Sequence, residues 1–326
     1  MVRRRFCAVD TMDNILFSLG VVMPLFLTMV LGFFIKQFKF ADAHFFAVAN
    51  NICFKILLPV MIFNNLYTSD LEEVFDWKII VFCVVGVIIL ALAAMLLVPL
   101  FVKDNTKRGV MIQGMFRSNF LLFGVPLIKE LADARAVALV SMLIVIIVPL
   151  FNVLAVIALS VFQSADGKRF SAKEVVRSIL TNPLIVASVV AVLAFVIGLK
   201  MPVFLEKAVN SVSSIATPLS LLILGGEFNF KSIGPTLGHT VATLAVKLVA
   251  APAVMITAAI MLGFTGAPLC AILTLFACPV AVSSYVMAKT SGGDGDLAAN
   301  LVVFSTLFST VTIFFFVLIL RSLGYL

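Results

Sequence analysis

The sequence predicts an all-α membrane protein: ten transmembrane helices forming an inverted repeat of two five-helix halves, with broken crossover helices at the fourth and ninth positions. Three observations carry this expectation. The chain is 63% hydrophobic and only 12% charged, about half the charged share of a soluble domain, and its mean hydropathy is +1.21. Ten stretches are long and apolar enough to span a bilayer, which takes about 20 residues each. Two of these stretches, in matching places of the two halves, are polar and interrupted by proline.

Taken in order, the first segment covers residues 14–36 and holds the apolar run Ile15 to Ile35. That run is too long for a signal-peptide core and ends at Lys36-Gln37 rather than at small residues, so it is read as a retained span. Residues 1–13 form a basic N-terminal leader segment, with Met12 as an alternative start. The second segment, 43–66, carries Asn51, Lys55 and Pro59 at four-residue intervals, which places them on one helical face. The third is 78–101 and the fourth 107–131, which contains Gln113, Arg117, Ser118, Asn119, Gly124 and Pro126. The fifth, 136–162, completes a first five-helix repeat over 14–162, and the polar link 163–173 follows.

The second repeat, 174–326, begins with segments 175–198 and 203–228; the latter contains Asn210 and Pro218. Segment 236–263 contains Lys247, and 268–289 contains Pro279, Ser283 and Ser284. Segment 297–322 carries Ser305, Ser309 and Thr312 along one side, read as close helix packing. Asn51 stands eight residues before Pro59, as Asn210 does before Pro218, and a proline-broken span follows in each half. Five helices per half is an odd number, so the halves must enter from opposite sides, as in many secondary carriers. Lys and Arg are biased toward the side of the 163–173 link. This places that loop in the cytoplasm and both termini outside, in a multi-pass protein of the plasma or inner membrane.

A charge at bilayer depth is expensive and marks a functional position, and paired interrupted helices point to a binding site. Arg117 offers a rigid fork of donors matched to a carboxylate, and Asn119 both donates and accepts. The structural alternative for Arg117 is that it snorkels, or pairs with Glu227 or with a helix C-terminus. Lys55, with Asn51 beside it, is expected to point inward and draw in an anion or release a proton, the alternative being a structural cation bonded to backbone carbonyls; Lys247 raises the same question. Ser283 and Ser284 follow the break at Pro279, where hydroxyls either meet substrate or cap freed backbone groups. Cys53, Cys83, Cys270 and Cys278 lie in apolar spans without metal-like spacing, so no metal site is expected. The net charge of +7 is assigned to short loops, not to nucleic acid. Gly293-Asp294-Gly295-Asp296 matches the string of intramembrane aspartyl proteases, but it lies in a loop and no Asp falls inside an apolar span.

Several strings, in order along nearly the whole chain, resemble the auxin efflux carrier family. Asn119-FLLFG-Val125-Pro126 resembles its fourth-helix signature, and Asn50-NICFKILL-Pro59 its second. Asn182-Pro183 and Ala216-Thr217-Pro218-Leu219 through Gly226 are similar to its sixth and seventh helices, and Pro279 with Leu297 to Thr310 to its ninth and tenth. The resemblance implies the architecture of bile-acid sodium symporters and sodium–proton antiporters. A scaffold of the first, second, sixth and seventh helices would face a moving domain that holds the crossovers. It also implies that Asn119, Pro126 and Pro279 mark a substrate site, with Pro59 and Pro218 as helix breaks on the scaffold that faces it. Implied substrates are auxin-like acids or malonate-like carboxylates. Arg117-Ser118 departs from the plant pattern, and the added cation favours a small, strongly anionic substrate and a short-loop bacterial type.

The function expected is thus a secondary active transporter or uniporter of small organic anions, working by elevator-type alternating access, and not an enzyme. The alternatives are a sodium-coupled symporter of the bile-acid type and a non-transporting anion sensor. No cofactor is expected, coupling to protons or sodium is open, and the partners are substrate, lipid bilayer and a potential homodimer.

Overall fold

The computed structural model describes residues 11–68, 76–124, 127–128, 132, 134–162 and 172–326. The N-terminal leader through residue 10, Pro126 and most of the 163–173 link lie outside the described residues. Every regular element described is helical, as the backbone must be where no water can satisfy it. In chain order the helices are α1 (Thr11–Gln37), α2 (43–67), α3 (Trp77–Phe101), α4 (Asn105–Phe116), α5 (Ala134–Phe162) and α6 (Ala172–Thr181). They continue as α7 (Pro183–Val196), α8 (Val203–Glu227), α9 (Ile233–Met261), α10 (Gly266–Ala277), α11 (Val282–Thr290) and α12 (Gly295–Ser322).

Among the described residues, seven helices or helix pairs are long and apolar enough to cross a membrane, and two shorter apolar helices accompany them. The expected sixth segment is two helices. Asn182 Oδ1 accepts the amides of Leu184 and Ile185, and Pro183 opens α7 where its missing N–H is harmless. Neither Pro59 nor Pro218 breaks its helix, contrary to the sequence expectation. In α2 the turn Cys53–Leu57 widens to a π-turn, with Leu58 N donating to Cys53 O. Such a widening is rare and takes the form of a single-turn bulge inside an α-helix, and here it precedes a proline that supplies no donor. Residues Val246–Ala250 of α9 repeat the device ahead of Pro252, with Ala251 N donating to Val246 O.

The helices pack in two groups. One is α1, α2, α7 and α8; the other is α3, α4, α5 and α9 to α12. In the first group α1 and α8 touch backbone to backbone. A Cβ on Gly225 would stand 1.8 Å from Met29 O, and one on Gly32 2.1 Å from Leu222 O, so only glycine permits the approach. In the second group, α10 and α11 form the axis: 94% of an apolar 18-residue stretch of that span is buried, against 33% of such a stretch in α3. The remaining face of α3, including Leu96, Leu100 and Phe101, is exposed, as a lipid-facing helix should be. The groups meet where α11 lies against α2 and α8, where α5 meets α7, and where α1 meets α12.

Candidate functional site

The expected helix breaks lie face to face. Helix α4 ends at Phe116, Arg117 is extended, residues 117–119 form no regular structure, and a π-turn Phe120–Gly124 follows. Residues 278–281 separate α10 from α11. An unwound segment frees backbone groups that must find partners inside the protein, and here the two breaks satisfy each other. Asn119 N donates to Pro279 O at 2.8 Å, and Ser118 Oγ to Cys278 O at 3.4 Å. Ser305 of α12 accepts Val280 N at 3.0 Å, so this hydroxyl does more than pack. Gly124 is required at the crossing, because a Cβ there would sit 2.5 Å from Thr274 Cγ2.

Arg117 is 3% exposed, and its guanidinium spans the gap between the breaks. It donates to Asn152 Oδ1 of α5 and Ser283 Oγ of α11, both at 2.9 Å, and approaches Met287 Sδ at 3.0 Å. All three partners are neutral. The pairing with Glu227 does not occur: Glu227 joins Lys289 of α11 instead. Among the described residues, no carboxylate pairs with this buried guanidinium. Asn119, also buried, lies beside it.

These groups border a cavity of about 60 Å³. Arg117, Ser118, Asn119, Asn152 and Ser283 supply its polar wall; Leu58, Met61 and Thr217 close it from α2 and α8. The cavity therefore lies between the two helix groups, at the level of the breaks. It suits a compact ligand held by a few convergent polar groups.

Other expected residues fall elsewhere. Asn51 and Lys55 are on the exposed face of α2. The inward row is instead Asn50, Cys53, Leu57 and Leu58; Asn50 Nδ2 bonds Thr290 Oγ1 at 3.2 Å, and Cys53 Sγ meets Ser220 Oγ at 2.9 Å. Ser284 is buried but outside the cavity, and its carbonyl accepts from Gln113 Nε2 at 3.1 Å. Pro279 is buried in the break itself, whereas Pro59 and Pro218 stand aside from the cavity their neighbours line. Lys247 is fully buried, and its Nζ donates to Phe276 O at 3.3 Å. It places positive charge on the carbonyl end of α10, where the helix dipole favours it. Asp294 of the protease-like string caps α12, its carboxylate accepting Leu297 N at 2.9 Å.

Sequence reading missed Asn152, which is fully buried and links Arg117 to Ser188 of α7. The signal was present: a lone amide in an apolar span, three residues after Pro149. The test applied to Arg117 would have found it.

Comparison with known proteins agrees with the resemblance read from the strings. Residues 17–317 match the model of the Mem_trans family, described as membrane transport proteins. An uncharacterized transporter of Methanocaldococcus jannaschii is 22% identical over 303 residues, covering 90% of this chain and 96% of that protein. The chain belongs to the auxin efflux carrier family of membrane transport proteins.

Proposed function

We propose that this chain is a secondary active transporter or uniporter of small organic anions, with malonate-like carboxylates as the substrate class. The observation that carries the reading is the Arg117 guanidinium, buried at a cavity wall with only neutral partners among the described residues. A buried cation without a counter-charge is costly. A carboxylate entering between Arg117, Asn119 and Ser283 would offset that cost through charge-assisted bonds. The small cavity favours a compact dicarboxylate over an aromatic auxin-like acid. Asn51 and Lys55, on the exposed face of α2, are outside the proposed site.

The proposed architecture is ten spans in two inverted five-helix repeats. Helices α3 to α5 and α9 to α12 would carry the crossed breaks past α1, α2, α7 and α8 as an elevator. The paired π-turns in α2 and α9 support a repeat only weakly, since they fall in different ordinal helices of the halves. The crossed breaks support it better, because each is the fourth span of its half.

The test is counterflow of radiolabelled malonate in proteoliposomes, with unlabelled carboxylates as competitors. Saturable exchange that is lost in Arg117→Ala and Asn119→Ala is the expected result. Normal exchange in both variants sinks the proposed site. Exchange that requires sodium would move the assignment toward the bile-acid type of symporter.

A further inference from the structure

A second cavity system lies away from the breaks, at one end of the cleft between α1, α8 and α12. Its inner part is an apolar cleft of about 390 Å³, walled by Phe26, Phe33, Phe34, Phe228, Phe230 and Phe304. Its outer part is a polar pocket of about 520 Å³ bordered by Lys36, Gln37, Glu227, Asn229, Lys231 and Asp296. The two share Phe33, Phe228 and Phe230 as a common wall, where the Phe33 and Phe228 rings each meet Phe230 edge to face, with centroids 5.5 and 5.0 Å apart.

The order of polar and apolar parts follows the helices. Lys36 is in the last turn of α1, Glu227 ends α8, and Asp296 is in the first turn of α12. The polar pocket is therefore at the helix ends, where a spanning helix meets the headgroup region. The apolar part runs inward along α1 from Phe34 to Phe26, a depth of about 12 Å at 1.5 Å per residue. An apolar cleft of this size, opening toward hydrocarbon, loses packing on one wall unless something apolar fills it.

The charges narrow the occupant. Glu227 is committed to Lys289. Lys36 rests over the Phe46 ring, 5.8 Å from its centroid. Among the described residues, neither Lys36 nor Lys231 makes an ion pair with a carboxylate, and Asp296 makes none with a cation. Asp296 accepts a hydrogen bond from the Asn229 side chain and feels the nearby Lys289 charge, but it is in no direct ion pair. Two ammoniums and this exposed carboxylate around one pocket match a headgroup that carries a phosphate and a primary amine. A purely anionic headgroup would meet Asp296 unfavourably.

We propose that this joined cleft is a binding site for an amine-bearing zwitterionic phospholipid, phosphatidylethanolamine. Its phosphate lies between Lys36 and Lys231, its amine at Asp296, and one acyl chain among the six phenylalanines. The proposal requires only that the chain sits in a bilayer and stands apart from the substrate reading.

Native mass spectrometry of the purified protein tests it, with phosphatidylethanolamine, phosphatidylcholine and phosphatidylglycerol of identical acyl chains added in turn. The wild type is expected to retain one phosphatidylethanolamine in preference to the other two lipids. Lys36→Gln with Lys231→Gln should weaken that binding about thirtyfold, given the attraction each lysine exerts on a headgroup phosphate. Asp296→Asn should erase the preference over phosphatidylglycerol. Leu307→Trp, which fills the acyl cleft, should weaken all three lipids. All four positions are exposed, and a circular dichroism melt confirms that each variant folds; if Leu307→Trp does not, the charge variants decide. Equal binding of the three lipids, unchanged by every variant, would mean annular lipid only and overturn the site. A wild-type preference for phosphatidylglycerol would overturn the role given to Asp296.

Discussion

The two helix breaks each have a cation, but they acquire it differently. The first carries its own: Arg117 is in the break, and its donors reach neutral side chains at a cavity. The second borrows one: Lys247 reaches from α9 to the carbonyl end of α10 through Phe276 O. A cation at a helix C-terminus is already compensated by the partial negative charge of the free carbonyls. One surrounded by hydroxyl, amide and thioether groups is not. The difference separates a structural cation from one available to an anionic ligand, although both are buried.

Variants can break or sharpen this contrast. Arg117→Ala should lower malonate exchange about 100-fold, the size of losing roughly 3 kcal/mol of charge-assisted contact. Arg117→Met should do the same to exchange yet leave stability within about 1 kcal/mol, because removing an uncompensated buried charge offsets the lost hydrogen bonds. Lys247→Met is the counterpart. It strips Phe276 O of its donor and should destabilise the fold by about 1–3 kcal/mol, read as a lower thermal midpoint in detergent. Equal thermal midpoints for Arg117→Met and Lys247→Met would remove the distinction between the two breaks.

Ser283→Ala deletes one of the neutral partners of Arg117 and should weaken exchange by threefold to tenfold, about 1 kcal/mol. Lys55→Gln is the smallest expected effect. The side chain is exposed on α2, so stability should change by less than about 0.5 kcal/mol and exchange should be close to that of the wild type. A large loss of exchange in Lys55→Gln would return this lysine to the site.

The contrast between Lys55 and Lys247 also marks the limit of what the residues disclose. Both are in apolar surroundings, and both are on π-turns shortly before a proline. The sequence reading favoured Lys55 as the inward one, and the structure buries Lys247 instead. In a soluble helix the polar face would have settled the matter. In a membrane, lipid tails are as apolar as the protein core, so periodicity loses its power to tell inside from outside. The same ambiguity exchanged Asn50 for Asn51 as the inward amide.

The sequence by itself determined the membrane class, the all-helical character, both breaks and the candidacy of Arg117 and Asn119. Those features rest on local rules: apolar length, proline and glycine at unwound turns, and the expense of a charge in hydrocarbon. Only the tertiary structure decided that Glu227 pairs with Lys289 rather than Arg117, that Asn152 completes the arginine's neutral shell, and that Lys247 caps α10. Each of these depends on which helices meet and at what rotation. That choice is made by long-range contacts such as the glycine-mediated approach of α1 to α8 and the hydrogen bond between the two breaks. A one-dimensional pattern of hydropathy carries no record of it, because hydrocarbon and protein interior present nearly the same solvent to a side chain.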